Sequence, residues 1–291
     1  MEICFIISFG LVLTLLVTKI LLLFVSCIIT NSLQPFRDIE YKEDAFHYFS
    51  IYLLFFGVSY LMQRSGIFEN NTESFVTIWI ITFVFSLVPL SVLYIISPIY
   101  YLLKSKRNHS LIERDLVDRF YGNQKIVVIE NGGANAFASG IIPFTKVILL
   151  TKSIFEQVSK EGLHAIVAHE LGHLKLNHLR KLYIINILLL AITTLVYSLL
   201  VLPYMASPYY VYYLMAFGGV FYGLIPMLIL GFFQKKFETQ ADAYAARKVG
   251  KKAMITALED LNKASKGQME RWSPNYPTLD QRISHVTNLS I

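Results

Sequence analysis

The sequence predicts a mainly α-helical, polytopic membrane protein with about five transmembrane helices and a soluble domain that carries a small β-sheet. Two observations lead to this fold class. Hydrophobic residues make up 55% of the 291 residues, whereas globular proteins average about 45–50%. The excess lies in long apolar runs, and the stretches between and after the later runs have the mixed composition of a soluble domain.

Residues 1–103 are predicted to form an N-terminal membrane region of about three helices. The first apolar run follows Glu2, contains Lys19 and is about twice as long as the apolar core of a cleaved signal peptide. We therefore expect this run to remain as a membrane helix. The apolar runs of this region cover residues 3–30, 45–62 and 75–103.

Residues 104–181 have the composition of a soluble domain. Alternating and amphipathic patterns predict a helix at 111–121 and strands at 125–130 and 146–151. Between the strands lies a glycine-rich loop, 131–140, whose spacing fits neither a phosphate-binding loop nor a dinucleotide fingerprint. We therefore expect no nucleotide partner.

Residues 182–233 contain two apolar runs, 182–204 and 210–233, joined by a short connector. Such a connector predicts a transmembrane hairpin that returns the chain to the side it left. The remaining residues, 234–291, are predicted to be soluble and helical. The local signals for helices in the soluble parts are an N-cap at Ser159 with Glu161, helical periodicity over Lys251–Lys266, and a capping box formed by Thr278 and Gln281.

His169-Glu170-Leu171-Gly172-His173 forms an HExxH motif. On a helix, residues four apart lie on one face, so the two imidazoles can bind one metal ion. Glu170, about 100° around the helix, leans towards the space beside that ion and can take a proton from its water. No cysteine is nearby, because Cys4 and Cys27 both lie in the first apolar run, so nitrogen and oxygen ligands are expected.

A third ligand is expected because catalytic zinc has three protein ligands and one open position. Glu238, which follows the predicted hairpin, can supply it. Asp242 lies one turn further along the same helical face and can accept a hydrogen bond from a ligand imidazole. His178 is an unsuitable third ligand on spacing, because the metzincin pattern requires histidine at the position of Leu179.

Loop charge predicts the orientation of the chain in the membrane. The net charge of +6 is modest, and its basic residues cluster at the ends of apolar runs, which favours orientation in a bilayer over nucleic-acid binding. The positive-inside rule places HExxH and Glu238 together on the cytoplasmic face. The basic clusters precede residue 45, follow residue 103, precede residue 182 and follow residue 233.

The chain resembles the integral-membrane zinc peptidases that include the HtpX quality-control proteases and the CAAX prenyl proteases. Their motifs occur here in the same order within roughly residues 124–289, whereas the first three apolar runs do not match in detail. The matching segments are NAFASG at 135–140, AIVAHELGHLKLNH at 165–178, ETQADAYA at 238–245 and YPTLDQRI at 276–283.

The resemblance implies a cytoplasmic zincin-like domain with one zinc ion per chain, bound by His169, His173 and Glu238. It implies Glu170 as the catalytic base and Asp242 as the residue that supports a ligand. It also implies that a strand at Asn135, Ala136 and Phe137 pairs with an extended substrate. Where the family has histidine before proline, this chain has Tyr276, whose hydroxyl can also donate a hydrogen bond. Arg282 matches the family and is expected to orient that region.

These observations predict a zinc metalloendopeptidase in the cell membrane that cleaves membrane proteins or hydrophobic peptides at a cytoplasmic site. An endoplasmic-reticulum membrane is the alternative location. Two alternative functions are a signalling peptidase of the BlaR/MecR kind and a catalytically silent scaffold that retains zinc for folding. The resemblance leaves open whether prenylated peptides are substrates, because no residue pattern in this chain indicates lipid recognition.

Overall fold

The computed structural model describes residues 90–105, 124–129, 134–201 and 225–290, with a few single positions between 79 and 87. Several predictions from the sequence lie outside these residues. They concern the first two apolar runs, part of the third, the helix at 111–121, the start of the glycine-rich loop, residues 202–204 of the fourth run and residues 210–224 of the last run.

The architecture is mainly helical with one small mixed sheet, as the sequence predicts. The helices are α1 (Ser97–Ser105), α2 (Ile154–Gln157), α3 (Lys160–Lys175), α4 (His178–Val201), α5 (Ile225–Val249), α6 (Lys251–Ala264) and α7 (Leu279–Thr287). The strands are β1 (Lys125–Ile129), β2 (Ala136–Ser139) and β3 (Val147–Thr151). A π-helical turn, Val92–Ile96, precedes α1, and 3-10 turns occur at Pro143–Thr145 and Gln268–Glu270.

The chain divides into two compact units. One consists of Met1–Pro89 and Asn186–Ile229, and the other of Leu90–Ile185 and Leu230–Ile291. In the first unit, the Trp79 indole donates hydrogen bonds to the carbonyl oxygen of Ala191 and the hydroxyl of Thr194, both on α4. The second unit contains the sheet, α3, α6, α7 and all residues singled out as site candidates in the sequence.

β3 is the central strand of the sheet, with β1 parallel on one side and β2 antiparallel on the other. Every residue of β3 is buried, because its two faces pack on different clusters. Ile148 and Leu150 join the helical core, whereas Val147 and Leu149 pack with β1 on the other face. The strands predicted at 125–130 and 146–151 are thus confirmed, whereas β2 lies in a segment whose pattern predicts a loop.

α3 lies at the centre of the core, between the sheet and α6. Its start is defined by Ser159, whose hydroxyl accepts a hydrogen bond from the Gly162 amide and donates one to Asp260 of α6. The predicted N-cap is therefore confirmed. The capping box of Thr278 and Gln281 at the start of α7 is confirmed as well, with both of its hydrogen bonds present.

α4 and α5 correspond to the predicted transmembrane hairpin. Within the part of the chain that the structure describes, one helical segment, His178–Leu200, is long and apolar enough to cross a membrane, with a mean hydropathy of 2.1. α5 continues without a break beyond Phe233, where its apolar run ends, to Val249. A single helix therefore links the apolar run to Glu238. The count of about five spans stays a prediction.

Candidate metal centre

The HExxH histidines point their Nε2 atoms at each other. His169 and His173 lie one turn apart on α3, and their Nε2 atoms are 3.1 Å apart. Their ring planes are inclined by 69°, so the two nitrogens converge on one point at the edge of both rings. His169 is only 7% exposed, whereas the side chains of His173 and Glu238 are 14% and 13% exposed.

Glu238 of α5 completes a triangle of donor atoms. Its Oε2 atom is 3.4 Å from His169 Nε2, and its Oε1 atom is 3.4 Å from His173 Nε2. Tetrahedral zinc with nitrogen and oxygen ligands at about 2.0–2.1 Å holds its ligands about 3.3–3.4 Å apart. The 3.1 Å between the imidazoles and the 3.4 Å from each imidazole to a different oxygen of Glu238 each match the spacing of a ligand pair on one zinc ion. One ligand atom from each of the three residues lies within 4.8 Å of the other two.

Gly172 allows α5 to come this close to α3. A Cβ atom on Gly172 would lie 3.2 Å from the Cα atom of Ala241 and 3.2 Å from the Cβ atom of Tyr244. Because a side chain here would push against the backbone of α5, glycine sets the distance between the helices. Gly172, an x position of HExxH, thus has a packing role, whereas the polar residues of the motif supply the chemistry.

Asp242 lies behind His169 on the side away from the donor triangle. Its Oδ1 atom is 2.8 Å from His169 Nδ1, so a proton on Nδ1 leaves Nε2 free to bind metal. Arg282 of α7 donates to both carboxylate oxygens of Asp242, through Nε at 2.8 Å and Nη2 at 2.6 Å. Asp242 is fully buried, and this bidentate pair compensates for the desolvation of its charge.

The electrostatics of the cluster favour a cation. Burial opposes charge on His169, but hydrogen bonds and charges from Asp242 and Glu238 outweigh it and raise its pKa to about 10. Burial also opposes ionisation of both carboxyl groups. Even so, hydrogen bonds from the two histidines hold the pKa of Glu238 well below its usual range, and Arg282 lowers the pKa of Asp242 to about 2. The buried carboxylate of Asp242 and the partly buried carboxylate of Glu238 thus lie beside the donor nitrogens.

Glu170 is buried on α3, at 8% exposure, directly after the first ligand candidate. Its charge acts on Tyr276, which is 52% exposed. Partial burial of the side chain, Glu238 and Glu170 together raise the pKa of Tyr276 above its ordinary value. Like any tyrosine, Tyr276 keeps its hydroxyl proton at neutral pH. Tyr276 follows a segment that is held on α5, because Gly231 leaves space for the carbonyl oxygen of Pro274.

Asn135, Ala136 and Phe137 lie at the start of β2 and outside the donor triangle. The Asn135 amide donates to the hydroxyl of Thr151 at 2.8 Å, and its own Oδ1 accepts from the Ala136 amide. The Phe137 ring packs edge-on against Tyr101. β2 is an outer strand of the three-stranded sheet in the described part of the chain, and it packs beside α3.

Sequence reasoning did not assign a role to His178. The structure places its Nδ1 atom 3.1 Å from Nδ1 of His173 and its Nε2 atom 3.0 Å from Oε1 of Gln240. The ring stacks on Phe237 with centroids 4.5 Å apart. His178 is fully buried and contacts a ligand candidate on the face opposite the donor triangle.

A His-His-Glu set on two helices, with His169 buried and a buried glutamate next to it in the chain, defines a site of the metallopeptidase type. Comparison with protein families matches residues 103–290 to peptidase family M48. This match covers more than half of the chain, and the chain belongs to that family. The predicted family and the predicted enzyme class, a metalloprotease, are both confirmed.

Curated relatives match over shorter stretches. Protease HtpX homologs are 36% identical over 72 residues in Bacteroides fragilis strain YCH46, 36% over 66 in Salinibacter ruber and 30% over 67 in Methanocaldococcus jannaschii. These stretches cover 21–25% of this chain and 22–24% of those proteins. The matched part of the chain thus spans about a quarter of the length of these relatives.

A solved structure extends the comparison to the fold. The crystal structure of Ste24p from S. mikatae superposes with a TM-score of 0.60 and 22% sequence identity. It covers 79% of this chain and 62% of that protein. The two chains therefore share a fold over most of the present sequence.

Proposed function

We propose that the protein is a zinc-dependent endopeptidase of the membrane that hydrolyses peptide bonds in membrane proteins or hydrophobic peptides. The observation that carries this proposal is the donor triangle of His169, His173 and Glu238, with buried Glu170 directly after His169 on α3. One zinc ion per chain would be held by the three donors. Zinc in such a site polarises a carbonyl group and lowers the pKa of a water molecule towards about 7.

Glu170 is the proposed proton carrier. Its carboxylate accepts the proton of the attacking water and delivers it to the departing amine. Its place directly after His169 on the buried face of α3 supports this role. Tyr276, whose hydroxyl is protonated at neutral pH as in any tyrosine, is the proposed donor to the oxyanion that develops on the substrate.

Asp242 and Arg282 are proposed to hold His169 in its metal-binding orientation. Asp242 accepts from Nδ1 of the imidazole, and the bidentate Arg282 guanidinium fixes the direction of the carboxylate. Arg282 Nη2 also lies 3.6 Å from Glu238 Oε2. Arg282 thus contacts both Asp242, which accepts a hydrogen bond from the proposed ligand His169, and the proposed ligand Glu238. These two contacts support an orienting role.

The substrate is proposed to bind as an added strand along β2, beside Asn135, Ala136 and Phe137. The position of β2 at the outside of the described sheet and next to α3 supports this idea. Backbone pairing explains how an endopeptidase can accept many sequences, because main-chain hydrogen bonds supply the affinity.

A multi-pass location in the cell membrane, with the site facing the cytoplasm, is proposed from α4. Ile184, Leu188 and Ile192 recur at helical spacing and each exposes about half of its surface, as expected for a face in contact with lipid. Arg180 and Lys181 lie in the first turn of α4. Basic residues at one end of an apolar helix favour the cytoplasmic side for that end.

The test is to purify the protein in detergent and measure zinc content and cleavage of an unfolded membrane protein and a panel of apolar fluorogenic peptides. Wild type is compared with Glu170→Gln, which keeps the size of the side chain and removes its capacity as a base. We expect zinc near one per chain in both proteins and cleavage by the wild type alone.

The matched control is Glu259→Gln on an exposed position of α6, which should keep both zinc and cleavage. Zinc in both proteins with equal cleavage would contradict the role of Glu170. A wild type that binds no zinc would contradict the proposed function as a whole.

A further inference from the structure

His178, His173 and Gln240 form a continuous line of ring and amide contacts. Nδ1 of His178 is 3.1 Å from Nδ1 of His173, and Nε2 of His178 is 3.0 Å from Oε1 of Gln240. Both nitrogens of the fully buried His178 ring are thus engaged. The line begins at the nitrogen of His173 that faces away from Glu238.

The direction of these hydrogen bonds follows from the chemistry at the two ends of the line, His173 and Gln240. Nε2 of His173 faces the donor triangle and must offer a lone pair to a metal, so its ring proton belongs on Nδ1. His173 then donates to His178 Nδ1, which must be unprotonated. The proton of His178 is therefore on Nε2, where the carbonyl oxygen of Gln240 accepts it.

The opposite direction is incompatible with metal binding. If Gln240 donated through its amide nitrogen, His178 would carry its proton on Nδ1 and donate to His173. The proton of His173 would then be on Nε2, inside the donor triangle. The carbonyl of Gln240 thus selects the tautomer of His173 that can bind metal.

The local backbone brings His178 to this position. On an unbroken helix, a residue five positions after His173 would be about 140° away around the axis. Asn177 lies between α3 and α4 and adopts a left-handed conformation, φ 56°. The chain therefore changes direction before His178. Lys146 holds this turn by donating to the carbonyl oxygen of Leu174 and to Oδ1 of Asn177.

We infer that His178 is a positioning residue that, backed by Gln240, holds His173 in the neutral tautomer and ring orientation in which Nε2 binds the metal. This inference rests on the proposed function, because it assigns His178 a role at the proposed zinc site. Metal-ligating histidines ordinarily donate their second N–H to a carboxylate, carbonyl or water. His169 uses the carboxylate of Asp242, whereas His173 uses a second imidazole.

A purely packing role makes a different prediction. The His178 ring stacks on Phe237 with an interplanar angle of 6°, and a phenylalanine at position 178 would keep that stacking. If His178 only fills space, His178→Phe should bind metal as wild type does. If it fixes the tautomer, this variant should bind metal more weakly although the core remains filled.

The experiment measures zinc affinity of the full chain in detergent by competition with a chromogenic chelator, and the visible spectrum of the Co²⁺-loaded protein. We expect His178→Phe to weaken zinc binding about 10–100-fold, the usual effect of losing an outer partner of a ligand histidine. His178→Asn, whose side-chain oxygen can replace Nδ1 as acceptor, should recover most of this loss. His285→Phe on α7 is the matched control and should leave the affinity unchanged.

Two substitutions at Gln240 test the direction of hydrogen bonding from His173 through His178 to Gln240. They remain informative even if His178→Phe does not fold. Gln240→Glu can only accept at neutral pH and should preserve zinc affinity, whereas Gln240→Met has a similar size, cannot accept strongly and should weaken it. Equal affinities in both Gln240 variants and in His178→Phe would overturn the inference while leaving the zinc site intact. A wild type without zinc would instead refute the proposed function.

Discussion

Gly172 of α3 faces Ala241 of α5 so closely that an added Cβ atom would lie 3.2 Å from the Ala241 Cα atom. This separation is tighter than ordinary van der Waals contact, and the opposing atom belongs to the backbone. The contact lies between the two helices that carry the donor atoms, one residue before His173 and three after Glu238. The packing of one glycine therefore determines whether the donor triangle can close.

Gly172→Ala is expected to reduce metal affinity and cleavage without unfolding the protein. Alanine is favoured over glycine in a helix by about 1 kcal/mol, but its methyl group would move α5 away from α3 by a few tenths of an ångström. Such a displacement of a donor should lower cleavage about tenfold. Zinc competition and peptide cleavage measure the effect.

The control for this prediction is Gly162→Ala, which makes the same chemical change at the far end of α3. A Cβ atom there would lie 2.9 Å from Oδ2 of Asp260 and 3.0 Å from Oγ of Ser159. This variant therefore crowds the N-cap of α3 more tightly than Gly172→Ala crowds α5, but it does so away from the donor atoms. Its zinc affinity should equal that of the wild type. If Gly172→Ala also behaves as wild type, the close approach does not control the site.

Replacement of Glu238 by Gln should abolish tight zinc binding. The carboxylate contributes both a donor atom and a negative charge, whereas the amide offers only a neutral oxygen. We expect a loss in affinity greater than the roughly 10–100-fold that follows removal of an outer hydrogen-bond partner. A chelator titration compares the two variants, and Glu238→Gln should bind zinc more weakly than Asp242→Asn. If Asp242→Asn bound zinc more weakly, Glu238 would not be a ligand.

The Asp242–Arg282 pair is expected to stabilise the fold as well as the site. Arg282→Met would leave the Asp242 carboxylate fully buried without its bidentate partner. Removing one member of such a pair costs about 3–5 kcal/mol, which corresponds to a drop of about 10 °C in the melting temperature. Thermal unfolding in detergent, without metal, measures the change.

A double-mutant cycle distinguishes the interaction energy of Asp242 and Arg282 from the general loss of stability that each substitution causes. Asp242→Asn combined with Arg282→Met removes both charges, so the double variant should melt above the temperature obtained by adding the two single effects. Additive effects would show that the two side chains do not depend on each other.

Much of the site could be predicted from the sequence because its key residues lie close together along the chain. HExxH and the pair Glu238 and Asp242 are each defined by spacing on one helix, and helical periodicity suffices to place them on a common face. The caps at Ser159 and Thr278 are local in the same way. The structure brings the three predicted ligands, His169, His173 and Glu238, together with Asp242 in one cluster.

The features that could not be predicted depend on tertiary packing or on a break in periodicity. His178 reaches His173 only because Asn177 adopts a left-handed conformation. The four mostly small residues of β2 have too little hydrophobic pattern to indicate a strand, and only the family resemblance implied one at Asn135. The length of α5 beyond Phe233 depends on core contacts of its second half, such as those of Ala245 and Ala246.

β2 provides a test of how the substrate is held. Asn135 accepts a backbone hydrogen bond from Thr151 of β3 through its carbonyl oxygen. Backbone groups alternate in direction along an antiparallel strand, so those of Phe137 face β3, whereas those of Ala138 face away from it. A substrate strand added to this edge would therefore pair with the backbone of Ala138.

Ala138→Pro removes the outward N–H without removing a hydrogen bond of the sheet, because proline is tolerated where a strand edge does not need its donor. We expect kcat/KM for long peptides to fall about tenfold, as for the loss of one hydrogen bond worth about 1–1.5 kcal/mol, with zinc content unchanged. Ala138→Val is the control for added bulk, since it keeps the N–H. If the proline and valine variants cleave equally, the substrate does not pair with β2 at this position, whereas a selective loss in the proline variant supports strand addition.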